Sequence, residues 1–320
     1  MVNEELENRF KDSVKLNGEI MDEVSKYFVG DREIIKKILA SIYASGHILL
    51  EDNPGIGKTF VAKLFSSVLG ISFRRVQFTP DLLPSDISGT KIWKASTGQF
   101  ELMKGPIFTN LLLADEINRA PPKTQAALLE SMEESQATIE GDTMILPQPF
   151  IVIATQNPIE FEGTYPLPEA QMDRFMLRVS FGYPEDDLEI LKRRTEWKMN
   201  DPSGSAKMIC DSKSLSSLRE LAELVYVDEK VMKYISSFGK IRKDKRVMAG
   251  PSPRGIISLM RISKAYAMVN GRDYVLPDDV KAMAASCLEH RIVLNPEDLM
   301  DGIKAENVVS SFLQQQEVPK

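Results

Sequence analysis

Between His47 and Val68 the chain reads HILLEDNPGIGKTFVAKLFSSV, and this stretch narrows the possible folds more than any other. His47-Ile48-Leu49-Leu50 predicts a short buried strand. Val61, Leu64, Phe65 and Val68 recur at i, i+3, i+4 and i+7, which predicts a helix, and Gly70 supplies its stop. Between them, Asn53, Pro54, Gly55, Ile56, Gly57, Lys58, Thr59 and Phe60 form a candidate phosphate-facing segment. A loop that wraps phosphates must turn tightly and aim successive backbone N–H groups inward, and glycines permit this by tolerating positive φ. The helix opening near Lys58 adds the positive end of its dipole at the same spot. Lys58 is then placed to reach β- and γ-phosphates, and the Thr59 hydroxyl to ligate Mg²⁺. Asp52 stands where the G-x-x-x-x-G-K-[ST] pattern has its first glycine.

Further apolar runs, Phe73–Phe78, Leu111–Asp115, Phe150–Thr155 and Met176–Phe181, suit strands covered on both faces. Helical patterns fall among them, including residues 31–45 and Pro122–Glu134. The alternation predicts an α/β core, a doubly wound parallel sheet over residues 1–182. From Tyr183-Pro184 onward only helical patterns recur: Leu188–Trp197, Leu215–Val225, Glu229–Ile241, Pro253–Val269 and Asp278–Glu289. Residues 183–320 are therefore expected to form a smaller all-α lid domain without strands, with Asn200–Ala206 as a surface loop.

Four more segments carry candidate chemistry. Leu111–Ala114 followed by Asp115-Glu116 describes a buried strand ending in two acids, where ligands of open α/β sheets bind. Asp115 is placed to hold a Mg²⁺ shell and Glu116 to polarise an attacking water. Ala154-Thr155-Gln156-Asn157 again ends a strand, and the Asn157 amide is a candidate for orienting that water. Asp173-Arg174-Phe175 places a cation just before a strand. In Gly250-Pro251-Ser252-Pro253-Arg254, Ser252 and Pro253 read as N-cap and N1, so Arg254 falls in a first helical turn. A cation there is electrostatically misplaced unless an anion lies opposite, and a bound phosphate would supply one.

Composition sets outer limits. The net charge of −6 argues against a protein that coats nucleic acid, and Lys240–Arg246, with Asp244 among its basic residues, reads as a solvated loop. No apolar run approaches a membrane span, and MVNEELENRF lacks the layout of a signal peptide. Cys210 and Cys287 lie far apart in no metal-like spacing, which suits packing residues in a reducing compartment. The expectation is a cytoplasmic protein.

The chain resembles the MoxR family of AAA+ ATPases over nearly its whole length. GHILLEDNPGIGKT, GPIFTNLLLADEINRAPPKTQAALLESMEE, ATQNP, EGTYPLPEAQMDRF and GPSPRG carry the likeness. The resemblance implies an ATP- and Mg²⁺-dependent hydrolase in which Asp replaces the first loop glycine. It implies Lys58 and Thr59 as Walker A residues, Asp115 and Glu116 as Walker B, and Asn157 as sensor 1. It further implies Arg174 as an arginine finger given to a neighbouring subunit, Arg254 as sensor 2, and Val29-Gly30 as the segment against adenine. Ile87–Met103 resembles a β insertion in helix 2, and Ala137–Leu146 a hairpin before sensor 1. The resemblance also implies a homo-oligomer, a hexameric ring, that remodels protein clients with a separately encoded von Willebrand factor A domain partner. A nucleic-acid-directed AAA+ motor and a nucleotide-gated scaffold are the rival readings.

Overall fold

Five parallel strands form the frame on which every candidate residue is mounted. The computed structural model describes residues 2–53, 55–157, 163–182, 187–197 and 202–319. Helices α1 (Val2–Tyr27) and α2 (Arg32–Tyr43) lead into β1 (His47–Glu51), α3 (Lys58–Val68) and β2 (Phe73–Gln77). Next come α4 (Pro84–Ser88), a hairpin of β3 (Gly89–Lys94) and β4 (Gln99–Lys104), and β5 (Leu111–Asp115). Then α5 (Pro122–Glu134), a second hairpin of β6 (Gln136–Ile139) and β7 (Asp142–Ile145), β8 (Ile151–Gln156), α6 (Glu169–Met172) and β9 (Phe175–Val179) complete the strand-bearing part.

The sheet order is β2-β5-β8-β1-β9, so the chain crosses over repeatedly with helices on both faces. Alternate residues serve the two layers, as the period of two in a strand requires. Ile48, Leu50, Leu111, Leu113, Ile151 and Ile153 join the core beneath α1, α2 and α3, while Leu49, Leu112, Ala114, Val152 and Ala154 join the core beneath α5. This double burial explains why these strands read as continuous apolar runs, whereas β2, expected to be covered on both faces, is the edge strand and leaves Arg74, Arg75 and Gln77 exposed. Register aligns Glu51 with Gln156 and Gln77 with Asp115. The loop after β1, the acids ending β5 and Asn157 beyond β8 therefore emerge at one edge of the sheet.

Beyond β9 follow α7 (Asp187–Trp197), α8 (Ser212–Glu223), α9 (Glu229–Ser237), β10 (Val247–Ala249), α10 (Pro253–Val269), α11 (Pro277–Leu288), β11 (Val293–Leu294), α12 (Pro296–Met300) and α13 (Ala305–Gln315). The expectation of no strand here is corrected by the antiparallel pair β10-β11, whose three and two residues are too short to show a periodicity. The helix expected over Glu229–Ile241 ends at Ser237 and tightens into a 3₁₀ turn over Phe238–Lys243. The basic cluster is likewise less loose than a solvated loop. Asp244 pairs with Arg246 at 2.8 Å, and Arg242 Nε donates to the Pro251 carbonyl at 2.6 Å. Of the expected surface loop Asn200–Ala206, the described part begins with a 3₁₀ turn, Pro202–Ser205, in which Pro202 and Ser203 are buried. Among the described residues no helix is long and apolar enough to cross a membrane.

Candidate functional site

The loop after β1 turns on Gly55 and Gly57, with φ of 86° and 89° that only glycine adopts without strain. Space is not the constraint, since a Cβ at either position would meet nothing within 4 Å. Gly57 caps α3, whose first residue is Lys58. Pro54 lies outside the described residues. Lys58 is buried, and its Nζ donates to the Asp52 carbonyl at 2.7 Å, closing the loop on itself. Burial lowers the Lys58 pKa, opposed by the charges of Asp52, Asp115 and Glu116.

Asp52 has a structural reason to be there. Its carboxylate, 4% exposed, accepts from Ser180 Oγ at 2.5 Å, the Phe181 N–H at 2.7 Å and the Gly182 N–H at 3.3 Å. It thus ties the loop to the chain leaving β9. Asp52→Ala would remove three hydrogen bonds accepted by one buried carboxylate and is expected to destabilise the fold by about 1–3 kcal/mol. Asp52→Gly, which restores the generic motif, is expected to be no better. Chemical denaturation of both variants checks this, and unchanged stability would remove the anchoring role.

Across the edge, Thr155 organises the acids. Its hydroxyl donates to Asp115 Oδ1 at 2.6 Å and accepts from the Glu116 N–H at 2.8 Å. Asp115 Oδ2 accepts from Arg75 Nη2 at 2.7 Å. Glu116 is held at φ 56°, a left-handed conformation unusual for a residue with a side chain. Its Oε2 accepts from Gln77 Nε2 at 2.7 Å and from Arg119 Nη1 at 3.0 Å. Asn157, buried, follows β8 directly.

Behind the loop lies a largely apolar cavity of about 310 Å³, to which Val29, Gly30, Gly55, Ile56, Gly57 and Phe60 all contribute. The rings of Phe60 and Tyr27 flank Trp197 at centroid distances of 5.9 and 6.5 Å, and Phe28 meets Phe181 at 5.6 Å. A pocket of this size walled by rings accepts a planar base.

Arg174 and Arg254 are somewhere else. Arg174 precedes β9, and β9 runs parallel to β1 with Phe175 beside His47. Arg174 therefore sits at the strands' N-terminal edge, opposite the loop, across a five-residue strand of about 16 Å. Arg254 is in the first turn of α10, capped as expected by Ser252, which accepts from the Gly255 N–H at 3.1 Å. Ser252 Oγ also donates to Asp173 Oδ2 at 2.9 Å, and Arg291 Nε to Asp173 Oδ1 at 2.6 Å, which locks the start of α10 against Arg174. Both arginines bond one carboxylate, Glu133, Arg174 at 3.2 Å and Arg254 more closely. The structure thus gathers Asn53, Gly55–Thr59, Asp115, Glu116 and Asn157 at one edge and sets the two arginines apart.

Comparison with known proteins decides the family. Residues 47–177 match the model of the ATPase family associated with various cellular activities, and residues 240–311 match the AAA lid domain. The chain is 44% identical to the uncharacterized protein YeaC of Bacillus subtilis over 95% of each. It is 40% identical to Chaperone MoxR1 of Mycobacterium tuberculosis, covering 93% of this chain and 81% of that one. The chain belongs to the MoxR family of AAA+ ATPases. A crystal structure of a proposed ATPase from Cytophaga hutchinsonii superposes with a TM-score of 0.90 at 40% identity, covering all of both chains.

As a MoxR-type ATPase the chain binds and hydrolyses nucleotide, and several residues around its candidate site carry no motif signature. Thr155 reads in sequence as one more β-branched strand residue. Arg75 and Gln77 lie on β2, whose neighbours gave no sign of facing two acids. Trp197 is distant in sequence, and only the fold brings it to Phe60.

Proposed function

We propose that this ATPase works as a ring of six identical subunits in which each nucleotide site is completed by the arginines of the next subunit, and that hydrolysis drives remodelling of protein complexes. The position of Arg174 and Arg254 at the edge opposite their own loop carries this reading. A side chain spans far less than the roughly 16 Å of strand between the two edges, which favours a phosphate held by a neighbour. Head-to-tail contacts of this kind close naturally into a ring.

Within the site, the loop amides and Lys58 hold the triphosphate and the aromatic cavity takes the base. Glu116 accepts the proton of the attacking water, with Asn157 orienting it. Thr59 and Asp115 offer hard oxygen donors for Mg²⁺, and no cluster of three or more His, Cys, Asp or Glu that could hold a metal exists among the described residues. Two protein oxygens suit an ion that keeps most of its waters and shares phosphate ligands. When bound, Mg²⁺ neutralises charge between the β- and γ-phosphates.

We place the core at residues 1–182 and the lid at 183–320; the boundary residues Tyr183-Pro184 lie outside those described. Two hairpins suit contact with clients. Glu140 accepts from Thr90 Oγ1 at 3.0 Å and the Lys91 N–H at 3.1 Å, coupling β3-β4 to β6-β7. Trp93 and Phe100, 58% and 66% exposed, pack together at 5.2 Å on the first hairpin. A relative named as a chaperone agrees with protein clients, and a von Willebrand factor A domain partner belongs to the same proposal. The nucleic-acid reading gains nothing, because Arg242 and Arg246 of the basic cluster are spent on internal bonds. The specific ATPase rate is expected to rise with protein concentration, alongside assembly in the presence of ATP measured by sedimentation. A constant rate from a monomer would sink the ring.

A further inference from the structure

Glu133 and Arg254 each sit against the dipole of their own helix. Glu133 lies in the last turn of α5, where the exposed carbonyls disfavour an anion. Arg254 lies in the first turn of α10, where the exposed amides disfavour a cation. Each compensates the other. Glu133 Oε1 bonds Arg254, and its Oε2 is 3.2 Å from Arg174 Nη2. One carboxylate thereby gathers two guanidinium groups, the arrangement that a γ-phosphate would need from them.

The surroundings are strongly cationic for a chain of net charge −6. Arg174, Arg254, Arg219 and Arg261 all line a cavity of about 260 Å³ with Glu133. Asp173, the other acid lining it, is already engaged by Arg291 and Ser252. Arg219 is held by the Ser45 hydroxyl at 2.9 Å, and among the described residues no carboxylate pairs with it. Glu133 is therefore the acid that serves the two arginines, and their charges hold its carboxyl below the usual range, with the Arg254 hydrogen bond the largest cause.

We propose that Glu133 is an internal stand-in for the neighbouring subunit's γ-phosphate, holding Arg174 and Arg254 together until ATP in the next subunit displaces it. The inference rests on the trans reading of the two arginines. Glu133 makes two contributions of opposite sign. It keeps the arginines aimed at one point, and it competes with the incoming phosphate for both. Exposed ion pairs are weak, so the competition is overcome readily and sets a threshold rather than a block. A more highly charged phosphate wins the exchange, and ATP in one subunit thereby becomes a condition for docking the next.

The test follows ATPase rate against protein concentration, with sedimentation in a non-hydrolysable ATP analogue. Glu133→Gln keeps the shape and loses the charge. Its half-maximal protein concentration is expected to fall about threefold to tenfold. Glu133→Asp retains the charge and should stay near the parent value. Read by sedimentation, because Arg174→Ala turns over too slowly for a rate, adding Arg174→Ala to Glu133→Gln should abolish the gain, which a purely structural role for Glu133 would not produce. An unchanged or raised midpoint in Glu133→Gln, with Arg174→Ala alone still impairing activity, overturns the stand-in and leaves the trans reading intact. Normal assembly and turnover in Arg174→Ala alone would take both down.

Discussion

Glu116→Gln is expected to bind ATP with near-parental affinity and hydrolyse it at least about 100-fold more slowly, the usual scale for losing a general base. The substitution is nearly isosteric. The existing contacts, Gln77 Nε2 at 2.7 Å and Arg119 Nη1 at 3.0 Å, reach Oε2, and an amide oxygen can accept both. The backbone at φ 56° is held from outside the side chain, by the Glu116 N–H donating to Thr155 Oγ1 at 2.8 Å. Neither fold nor loop geometry should change. The amide cannot take a proton from water, so only the chemical step is lost. Nucleotide binding followed by a fluorescent ATP analogue, beside phosphate release, separates the two effects. Turnover within about threefold of the parent would remove Glu116 as the base. The same variant, holding ATP without hydrolysis, also suits capture of a client.

How much of this was readable before folding depends on whether a residue's role is local. Asp115 and Glu116 were legible because a run of apolar residues ending in two acids has one natural reading, a buried strand reaching a polar edge. The turn glycines and Lys58 were legible because backbone conformation and charge are demanded within a single loop. The anchoring role of Asp52 was not legible, since its partners Ser180, Phe181 and Gly182 are distant in sequence and brought near by the pairing of β1 with β9. Thr155 was hidden for a related reason: its hydroxyl acts across two strands, yet its type is ordinary in any strand. Glu133 was the hardest to see, because an acid near the end of an amphipathic helix normally faces solvent. The misplaced charge of Arg254 did point to an anion opposite, and the structure supplies one from within the chain. The apolar stripe of α1, carried by Leu6, Phe10, Ile20, Met21 and Val24, is interrupted by Ser13 and Asn17, and Asn17 donates to the Met268 carbonyl at 2.9 Å and accepts from Tyr43 at 2.8 Å. Buried polar contacts of that kind are set by tertiary structure alone.

Mixtures of two inactive variants are expected to regain activity. Arg174→Ala alone should lose about 1,000-fold or more in turnover, the scale of a missing arginine finger. Lys58→Ala alone should fail earlier, because the buried amine that both closes the loop through the Asp52 carbonyl and meets the phosphates is gone. In a mixed ring, an Arg174→Ala subunit still has an intact loop, and a Lys58→Ala neighbour still offers an intact Arg174. With random assembly at equal amounts, roughly one interface in four pairs an intact loop with an intact finger. Recovery to about a quarter of the parental rate is therefore expected, with a maximum near equal proportions. Substituting Arg254→Ala for Arg174→Ala asks the same question of the second arginine. Because Arg254 shares Glu133 with Arg174 and is tied to the same turn through Ser252 and Asp173, it should complement in the same way. If Arg174 mixtures recover while Arg254 mixtures stay silent at every ratio, Arg254 serves its own subunit's nucleotide, and the lid must then swing α10 far from the position seen here. Silence in both would place hydrolysis within single chains, and the far edge of the sheet would lose its claim on the chemistry.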